Sequence, residues 1–287
     1  MRDAAIIGAG LAGLAAAARL ARDGLDVAVF DKSRGTGGRL ATRRGAAGAF
    51  DHGAPAAHGD AGFDAAMGAI GAERHGDGWR GRPGMSGLVK PLEQGVEILR
   101  GRRIVRVDRA GGWHLIDADG TRAGPFRHLL IAIPAPQAAA LRPHRALDRV
   151  HMAPCWTLMA VRSGPAPAPA VPVAQVLSQG DRPGADPGAL VAHADPGWSA
   201  AHLEEDAGTV ADAMWRALAP GAAPATHAAA HRWRHARTVR ALGRPFLDTG
   251  GGCLLGGDWA LGPSAGDAWR SGRAMAAHVL GNADTVR

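Results

Sequence analysis

The first 31 residues carry the pattern that most constrains how this chain can fold. A short apolar run at 4–7 is followed by Gly8, Gly10 and Gly13 at the spacing G-x-G-x-x-G, and then by an Ala- and Leu-rich stretch with a helical pattern. Gly8 permits a tight turn, Gly10 lets the backbone approach a diphosphate, and Gly13 lets the helix pack closely on the strand. A second strand ends at Asp31, whose carboxylate suits a ribose hydroxyl. The pattern predicts a βαβ unit that binds a dinucleotide.

The start of the predicted helix supplies the anion-binding part of this unit. Backbone amides in the first turn of a helix have no partner within the helix, and the helix dipole favours negative charge there. Leu11 and Ala12 therefore join Gly10 and Gly13 as expected ligands of the diphosphate. Lys32 follows Asp31 and belongs to the same expected cofactor site.

Composition limits the class of protein. The 287 residues are 46% hydrophobic, which is enough for a packed core in two modest domains or one interrupted domain. No apolar run is long enough to span a bilayer, and three glycines interrupt the first apolar segment. We therefore expect a cytoplasmic protein with no cleaved signal peptide and no membrane association. Cys155 and Cys253 lie far apart, which predicts neither a disulfide framework nor a metal site.

The net charge of +7 comes almost wholly from arginine, because Lys32 and Lys90 are the only lysines. The basic residues are scattered rather than clustered with aromatic ones, so we expect no nucleic-acid partner. A basic cleft for a small anionic, phosphate-bearing ligand is the more economical interpretation. The sequence carries no signal for an oligomeric state.

The order of predicted elements indicates two interleaved domains. Residues 1–58, 84–135 and 248–287 are predicted to form a discontinuous cofactor-binding domain, because C-terminal segments complete the sheet begun by the βαβ unit. Residues 59–83 and 136–247 are predicted to form an inserted, mainly antiparallel substrate domain. The strands and helices expected outside the βαβ unit are strands at 96–99, 104–107, 113–117, 128–133, 156–161, 190–194, 228–233 and 253–256, and helices at 63–70, 86–92, 202–218 and 268–280.

Two further segments suit the same ligand. Gly38-Arg39 offers close backbone amides and a planar guanidinium to a diphosphate. Gly257-Asp258 lies at the end of a predicted strand, which places Asp258 to bind either the sugar-alcohol chain or the diphosphate region of such a ligand. Arg43 and Arg44 are either further phosphate ligands or solvated surface arginines.

These motifs resemble the extended flavin fingerprint of the amine-oxidase-like FAD proteins, and within that superfamily the bacterial renalase-like flavoproteins. The resemblance covers nearly the whole chain, and it implies an α/β fold in which a Rossmann-like FAD-binding domain carries an inserted, mainly antiparallel α+β substrate domain of the p-hydroxybenzoate hydroxylase type. It also implies noncovalent FAD. The motifs that carry it are 30–35 with Gly38-Arg39, 51–54, 83–86, 132–137, 192–194 with 198–199, 231–233, and 257–259 with 268–272.

The resemblance also implies an activity and places further residues at the cofactor. The activity is oxidation of the 2- or 6-dihydro isomers of NAD(P), by hydride transfer to flavin N5, with O₂ as acceptor giving H₂O₂. Asp51-His52-Gly53-Ala54 would pass beside the isoalloxazine, and Ile104 would contact the cofactor. The helix beginning near Gly266, with Asp267 and Ala268 in its first turn, would direct unpaired amides at the flavin N1/C2=O edge. We expect the carboxylate of Asp267 to point outward.

The resemblance places His231 and Trp233 in the catalytic pocket. Each also has a structural alternative, since His231 on an extended strand can be a satisfied structural histidine and Trp233 can be core. His52 has no second ligand at metal-binding spacing, so no metal site is expected. No G-x-S-x-G motif is present to support nucleophilic hydrolysis.

Two departures from the family concern the substrate. After Gly53-Ala54 the family usually continues with Gln-Tyr-Phe, whereas this chain has Pro55-Ala56-Ala57. The stretch 57–83 is also short, which predicts a smaller or more open cap. Two other functions remain open: an FAD-dependent amine oxidase or desaturase of an apolar substrate, and a non-catalytic flavin-binding protein with a degraded pocket.

Overall fold

Secondary structure along the chain changes from a parallel α/β pattern to long antiparallel strands and back. The computed structural model describes residues 1–221 and 225–281. The helices and strands are, in order, β1 (Arg2–Ile7), α1 (Leu11–Arg22), β2 (Val27–Asp31), β3 (Thr42–Gly45), β4 (Gly48–Asp51), α2 (Ala61–Ala69), β5 (Glu73–His75), β6 (Gly78–Arg80), β7 (Glu97–Arg100), β8 (Ile104–Arg109), β9 (Trp113–Asp117), β10 (Arg122–Ile131), α3 (Ala135–Leu141), β11 (His151–Val161), β12 (Val173–Ser178), β13 (Ala189–Ala194), α4 (Pro196–Ala201), α5 (Ala207–Leu218), β14 (His227–Arg240), β15 (Leu247–Asp248), β16 (Cys253–Leu255) and α6 (Ala265–Val279).

Five parallel strands, in the order β16-β10-β1-β2-β7, form the centre of an eight-stranded sheet. β15 extends one edge, and the β8–β9 hairpin joins β10 in antiparallel fashion. The central strands are buried on both faces, which explains their nearly unbroken apolar sequences. Ala4 and Ile6 of β1 face the core formed with α1 and α6, whereas Ala5 and Ile7 face the core that includes α3 and β9.

Glycines set the turn between β1 and α1. Gly8 has a φ of +108°, a conformation that other residues rarely adopt. A Cβ at Gly13 would overlap the carbonyl of Gly8, and a Cβ at Gly272 of α6 would overlap the carbonyl of Ala12. Helix α1 therefore packs directly on backbone at both contacts, which fixes its N-terminus at the carboxyl end of β1.

A second sheet, in the order β12-β13-β11-β14, is antiparallel throughout. Alternate residues of β11 face opposite sides, as strand geometry requires. Leu158 packs on the apolar face of α5 with Met214, whereas Met159 packs on Phe50 of β4. The second sheet is thus covered by its own helix on one face and meets the cofactor-binding part on the other.

The predicted fold class is confirmed: a Rossmann-like α/β unit carries a second, mainly antiparallel layer. Several predicted bounds were wrong. The helix predicted at 202–218 begins at Ala207, because the Asp206 side chain caps it by accepting from the amides of Gly208 and Thr209. The helix predicted at 268–280 begins earlier, after its N-cap Ser264.

Other elements were not predicted or were of a different kind. The single helix expected at 86–92 is two short 3-10 helices, Met85–Leu88 and Lys90–Glu93. β14 continues well past the predicted 228–233, and the hairpins β3–β4 and β5–β6 were missed. No helix in the described part of the chain is both long and apolar enough to cross a membrane. The residue boundaries of the two domains stay a prediction, and 222–224 and 282–287 lie outside the described residues.

Candidate active site

The N-terminus of α1 has the features of an anion site. Its N-cap is Gly10, which provides no side-chain cap for the amides of Leu11, Ala12 and Gly13. A Cβ at Gly10 would meet no atom within 4 Å, so the backbone borders open space there. Gly38 lies beside it, since a Cβ at Gly38 would be 3.4 Å from the Cα of Gly10. The predicted diphosphate ligands Gly10 and Gly38 therefore lie together, and the backbone at Gly10 is not covered by a neighbouring side chain.

Asp31 ends β2 next to this turn. Its Oδ2 accepts a hydrogen bond from the Ala9 amide, and its Oδ1 accepts one from the Ser33 amide, both at 2.7 Å. Each carboxylate oxygen keeps acceptor capacity for a ribose hydroxyl. Lys32, the next residue, is exposed.

Arg39 and Asp258 form a bidentate ion pair, with Nη1 to Oδ2 at 2.8 Å and Nη2 to Oδ1 at 2.5 Å. The Asp258 side chain is only 4% exposed, and its Oδ2 also accepts from the hydroxyl of Thr238 at 3.0 Å. Arg39 also donates to the carbonyl of Ala236. The sequence assigned the two charged residues to the cofactor separately, whereas the structure pairs them with each other. An ion pair across 219 residues has no local sequence signal.

In the loop after β4, the backbone contacts Arg39, whereas the carboxylate of Asp51 does not. The Ala54 amide donates to the Arg39 carbonyl at 2.8 Å, and a Cβ at Gly53 would overlap that carbonyl. Asp51 instead faces the interior: its Oδ1 accepts from the hydroxyl of Thr42 and the amide of Met85.

A buried charge partner completes the surroundings of Asp51. Its Oδ2 lies 2.9 Å from Arg182, and both side chains are nearly inaccessible. The geometry therefore favours a role for Asp51 in holding the end of β4, and this carboxylate is not brought to the α1 anion site.

Three rings from two distant segments form an aromatic cluster, which consists of His52, His231 and Trp233. The ring centroids are 4.8 Å apart for His52 and His231, 5.0 Å for His52 and Trp233, and 4.5 Å for His231 and Trp233. The indole Nε1–H of Trp233 donates to the carbonyl of His52 at 2.9 Å. The structure thus brings the two predicted catalytic residues into contact with the loop predicted to pass beside the flavin.

The aromatic cluster is electrically neutral near pH 7. Burial, the neighbouring His231 and the Arg43 guanidinium together lower the pKa of His52 to about 4. Burial and then Arg43 lower the pKa of His231. Both imidazoles are therefore uncharged at neutral pH, with Arg43 as a nearby cation.

His193 is a site residue that the sequence analysis did not select. It lies on β13, where Thr157 of β11 separates it from His231, because Thr157 pairs with both. Burial lowers the pKa of His193, and the backbone of His52 and Gly53 opposes this by hydrogen bonding. Its signal was present in the motif 192–194, but only strand pairing shows which residues it meets.

The first turn of α6 differs from expectation. Ser264 and Asp267 form a capping box, in which Oδ2 of Asp267 accepts from the Ser264 amide at 3.0 Å and the Asp267 amide donates to the Ser264 hydroxyl. The Gly266 amide donates to the carbonyl of His58. The expectation of unpaired amides is therefore wrong for Gly266 and Asp267. Asp267 is buried rather than outward-pointing, because it closes its own cap and pairs with Arg270.

The remaining predicted site residues lie in packed surroundings. Ile104 is buried at the start of β8, in the core that contains Phe30. Ala268 packs against the core around α1. The Gly257 amide donates to the hydroxyl of Ser271 at 2.9 Å, which holds the turn before Asp258. Within the described residues, no group of His, Cys, Asp and Glu side chains is arranged to hold a metal ion.

Two family models match the chain. Residues 6–66 match the NAD(P)-binding Rossmann-like domain, and residues 70–280 match the flavin containing amine oxidoreductases. The chain belongs to the flavin containing amine oxidoreductase family. It is an FAD-dependent oxidoreductase, and the predicted relationship to amine-oxidase-like flavoproteins is confirmed.

Two solved structures have the same fold. A putative protoporphyrinogen oxidase from an Exiguobacterium species aligns with a TM-score of 0.72 and 14% identity, over 98% of this chain and 99% of that one. A putrescine oxidase bound to putrescine aligns with a TM-score of 0.65 and 14% identity, over 98% and 99%. A zeta-carotene-forming phytoene desaturase of Myxococcus xanthus is 60% identical over 38 residues, which is 13% of this chain and 7% of the desaturase.

The residues present fit the FAD of this family. The uncapped α1 amides and the open space at Gly10 suit a diphosphate, and Asp31 retains acceptor capacity for a ribose. The aromatic cluster is joined to Arg39 through the loop that contains Gly53 and Ala54. The expected nucleotide end and the aromatic end are thus linked by hydrogen bonds through one loop.

Proposed function

We propose that this flavoprotein oxidises 2- or 6-dihydro isomers of NAD(P), with O₂ as acceptor and H₂O₂ as product. The observation that carries the proposal is the aromatic cluster, whose neutral imidazoles are exposed to the positive charge of Arg43. A dihydronicotinamide dinucleotide combines an uncharged planar ring with anionic phosphates. The neutral rings suit the first part and Arg43 suits the second.

The protein's part in the reaction is orientation and exclusion of water. Trp233 fixes the His52 backbone through its indole N–H, so that the three rings keep one mutual arrangement. His231 is neutral, and it offers a hydrogen-bonding nitrogen to a carboxamide without placing a charge beside the donor ring. Bound FAD supplies two-electron acceptance from the donor and reoxidation by O₂.

Electrostatics favours this donor over an amine. Amines are cationic at neutral pH, and a cage for a cation uses electron-rich ring faces away from other positive charge. Here two of the three rings are imidazoles, and Arg43 acts on both of them. In the described part of the chain, no carboxylate forms an ion pair with Arg43. An ammonium donor would be repelled where an anionic donor is attracted.

The test is anaerobic mixing of the purified flavoprotein with a donor panel while flavin absorbance is followed. The panel contains the 2- and 6-dihydro isomers, ordinary NADH, putrescine and an apolar substrate of the desaturase type. We expect the isomers to bleach the flavin fastest and O₂ to restore the colour with one H₂O₂ per donor. Bleaching by amines alone would support an amine oxidase, and bleaching by dithionite alone would support a non-catalytic flavin protein.

The proposed cellular location and partners follow from the proposed donor. A water-soluble dinucleotide donor fits an enzyme of the cytoplasm, and we propose that location. The proposed partners are therefore the anionic donor and O₂, with neither nucleic acid nor a membrane involved.

A further inference from the structure

The strand that carries His231 and Trp233 has a bulge immediately after them. Cys155 of β11 pairs with Trp233 of β14, and Ala153 pairs with Arg237. A single residue of β11, Pro154, therefore lies opposite residues 234–236 of β14. Proline has no N–H for the ladder, and a bulge in the neighbouring strand redirects side chains and backbone groups. Such bulges are typical of sites where a strand must reach a ligand.

The bulge brings β14 onto the cofactor-binding part. The carbonyl of Ala236 accepts from Nη1 of Arg39 at 3.1 Å, and two residues later the Thr238 hydroxyl donates to Asp258. Both contacts lie on the Arg39–Asp258 pair, next to the Gly38 backbone that borders the α1 anion site. The backbone around His235 is therefore held beside the Arg39–Asp258 pair by the contacts of Ala236 and Thr238.

Three cations act on His235, and two of them are paired with carboxylates. Its half-buried imidazole has a pKa lowered by burial first and then by three cations. Arg39 is neutralised by Asp258 and Arg234 by Glu204, whereas Lys32 has no carboxylate partner among the described residues. The cations around His235 are Arg234 on its own strand, Lys32 after β2 and Arg39 before β3. The carboxylates nearby are Asp258, which pairs with Arg39, Glu204, which pairs with Arg234, and Asp31, which precedes Lys32.

We propose that His235 is a ligand of the FAD diphosphate, contributed by the substrate sheet and donating a hydrogen bond from its imidazole to a phosphate oxygen. The bulge opposite Pro154 positions His235 for this contact. The expected ligand is a diphosphate, because the uncapped amides of α1 suit an anion and the imidazole, near Lys32, adds a further donor. The inference rests on FAD binding and not on the identity of the electron donor.

A proton is coupled to this contact. Without the anion, burial and then the surrounding cations disfavour protonation of His235, whereas a phosphate oxygen beside the ring favours it. FAD binding therefore takes up a proton, and retention of FAD strengthens as the pH falls from about 8 towards about 6.

The experiment measures release of FAD, which fluoresces more strongly when free, after dilution of the holoprotein at several pH values. For the wild type we expect slower release at the acidic end. For His235→Gln we expect about tenfold faster release there and little pH dependence, which corresponds to loss of one charge-assisted hydrogen bond. The control is His151→Gln, which removes an exposed imidazole from β11.

A second variant separates binding from structure. His235→Lys keeps a permanent positive donor, so we expect slow release of FAD at all of these pH values. Circular dichroism at saturating FAD checks that each variant is folded. Wild-type release rates and pH dependence in His235→Gln would overturn the proposal, and so would release from His235→Lys as fast as from His235→Gln.

Discussion

The indole N–H of Trp233 donates to the carbonyl oxygen of His52 at 2.9 Å, across 181 residues of sequence. This bond joins the substrate sheet to the loop that continues β4 and therefore ties the two parts of the molecule at the aromatic cluster. Trp233→Phe keeps an aromatic ring and removes the donor. We expect a loss of about 1 kcal/mol in the free energy of unfolding, measured by urea denaturation of the holoprotein, and slower flavin reduction by the best donor. Trp198→Phe, on a ring that stacks on His202 away from the cluster, is the control and should leave flavin reduction unchanged.

Arg43 should select donors by their phosphate. For Arg43→Gln we expect KM to rise about fivefold for a dihydro-NAD isomer, the size of an exposed ion contact of roughly 1 kcal/mol, with kcat unchanged. A dihydronicotinamide riboside, which lacks phosphate, should show no change in KM. Arg44→Gln on the same strand is the matched control. An equal effect on both donors would contradict the assignment.

Arg39 and Asp258 should show strong coupling. Arg39→Ala leaves a buried carboxylate without its charge partner, so we expect a loss of about 3–5 kcal/mol in the free energy of unfolding. The double variant Arg39→Ala with Asp258→Asn removes the uncompensated charge and should be more stable than Arg39→Ala alone. Urea unfolding of the four proteins measures this cycle, and simple additivity of the two substitutions would refute the coupling.

Acid should destabilise the fold through His52. Its pKa is about 4 in the folded protein against 6.5 ordinarily, so the unfolded chain binds the proton first. The contribution of His52 to the free energy of unfolding is fully present above about pH 6.5 and is lost as the pH falls towards about 4. This contribution amounts to about 3 kcal/mol. Unfolding free energies across this range should depend less on pH in His52→Gln, whereas removal of the exposed His75 should preserve the wild-type dependence.

Asp267 should act on the helix and not on the flavin. Its carboxylate closes the capping box with Ser264, so Asp267→Asn should lower stability by about 1 kcal/mol and leave the flavin midpoint potential nearly unchanged. Spectroelectrochemistry measures the potential. A rise of several tens of millivolts would show that the carboxylate faces the flavin, since about 30 mV corresponds to 1.4 kcal/mol for two electrons.

The flavin should be noncovalent. No bond from flavin to His52 or Cys253 is expected, because the sequence around them carries no linkage motif. Acid precipitation should therefore release all the flavin as FAD, identified by chromatography of the supernatant. Yellow colour retained in the precipitate would contradict this.

The sequence by itself determined the βαβ unit, its glycine turn and the fold class. These depend on periodicity and on residues within about thirty positions of one another, where a strand, a tight turn and a helix leave a local pattern. The motif also predicted Gly10 and Asp31 as parts of one cofactor site, because Gly10 precedes a helix and Asp31 ends a strand in that unit. Arg39 was added to that site by its resemblance to the flavin fingerprint. His231 and Trp233 were selected through family resemblance.

Only the tertiary structure decided which partners these residues have. Arg39 was assigned to a phosphate, and the fold gives it Asp258. Asp51 was assigned to the flavin, and the fold turns its carboxylate to Thr42 and Met85. The bulge that positions His235 depends on which residue of β11 lies opposite it. Strand pairing and burial over such separations are set by the packing of whole layers, and no local pattern encodes them.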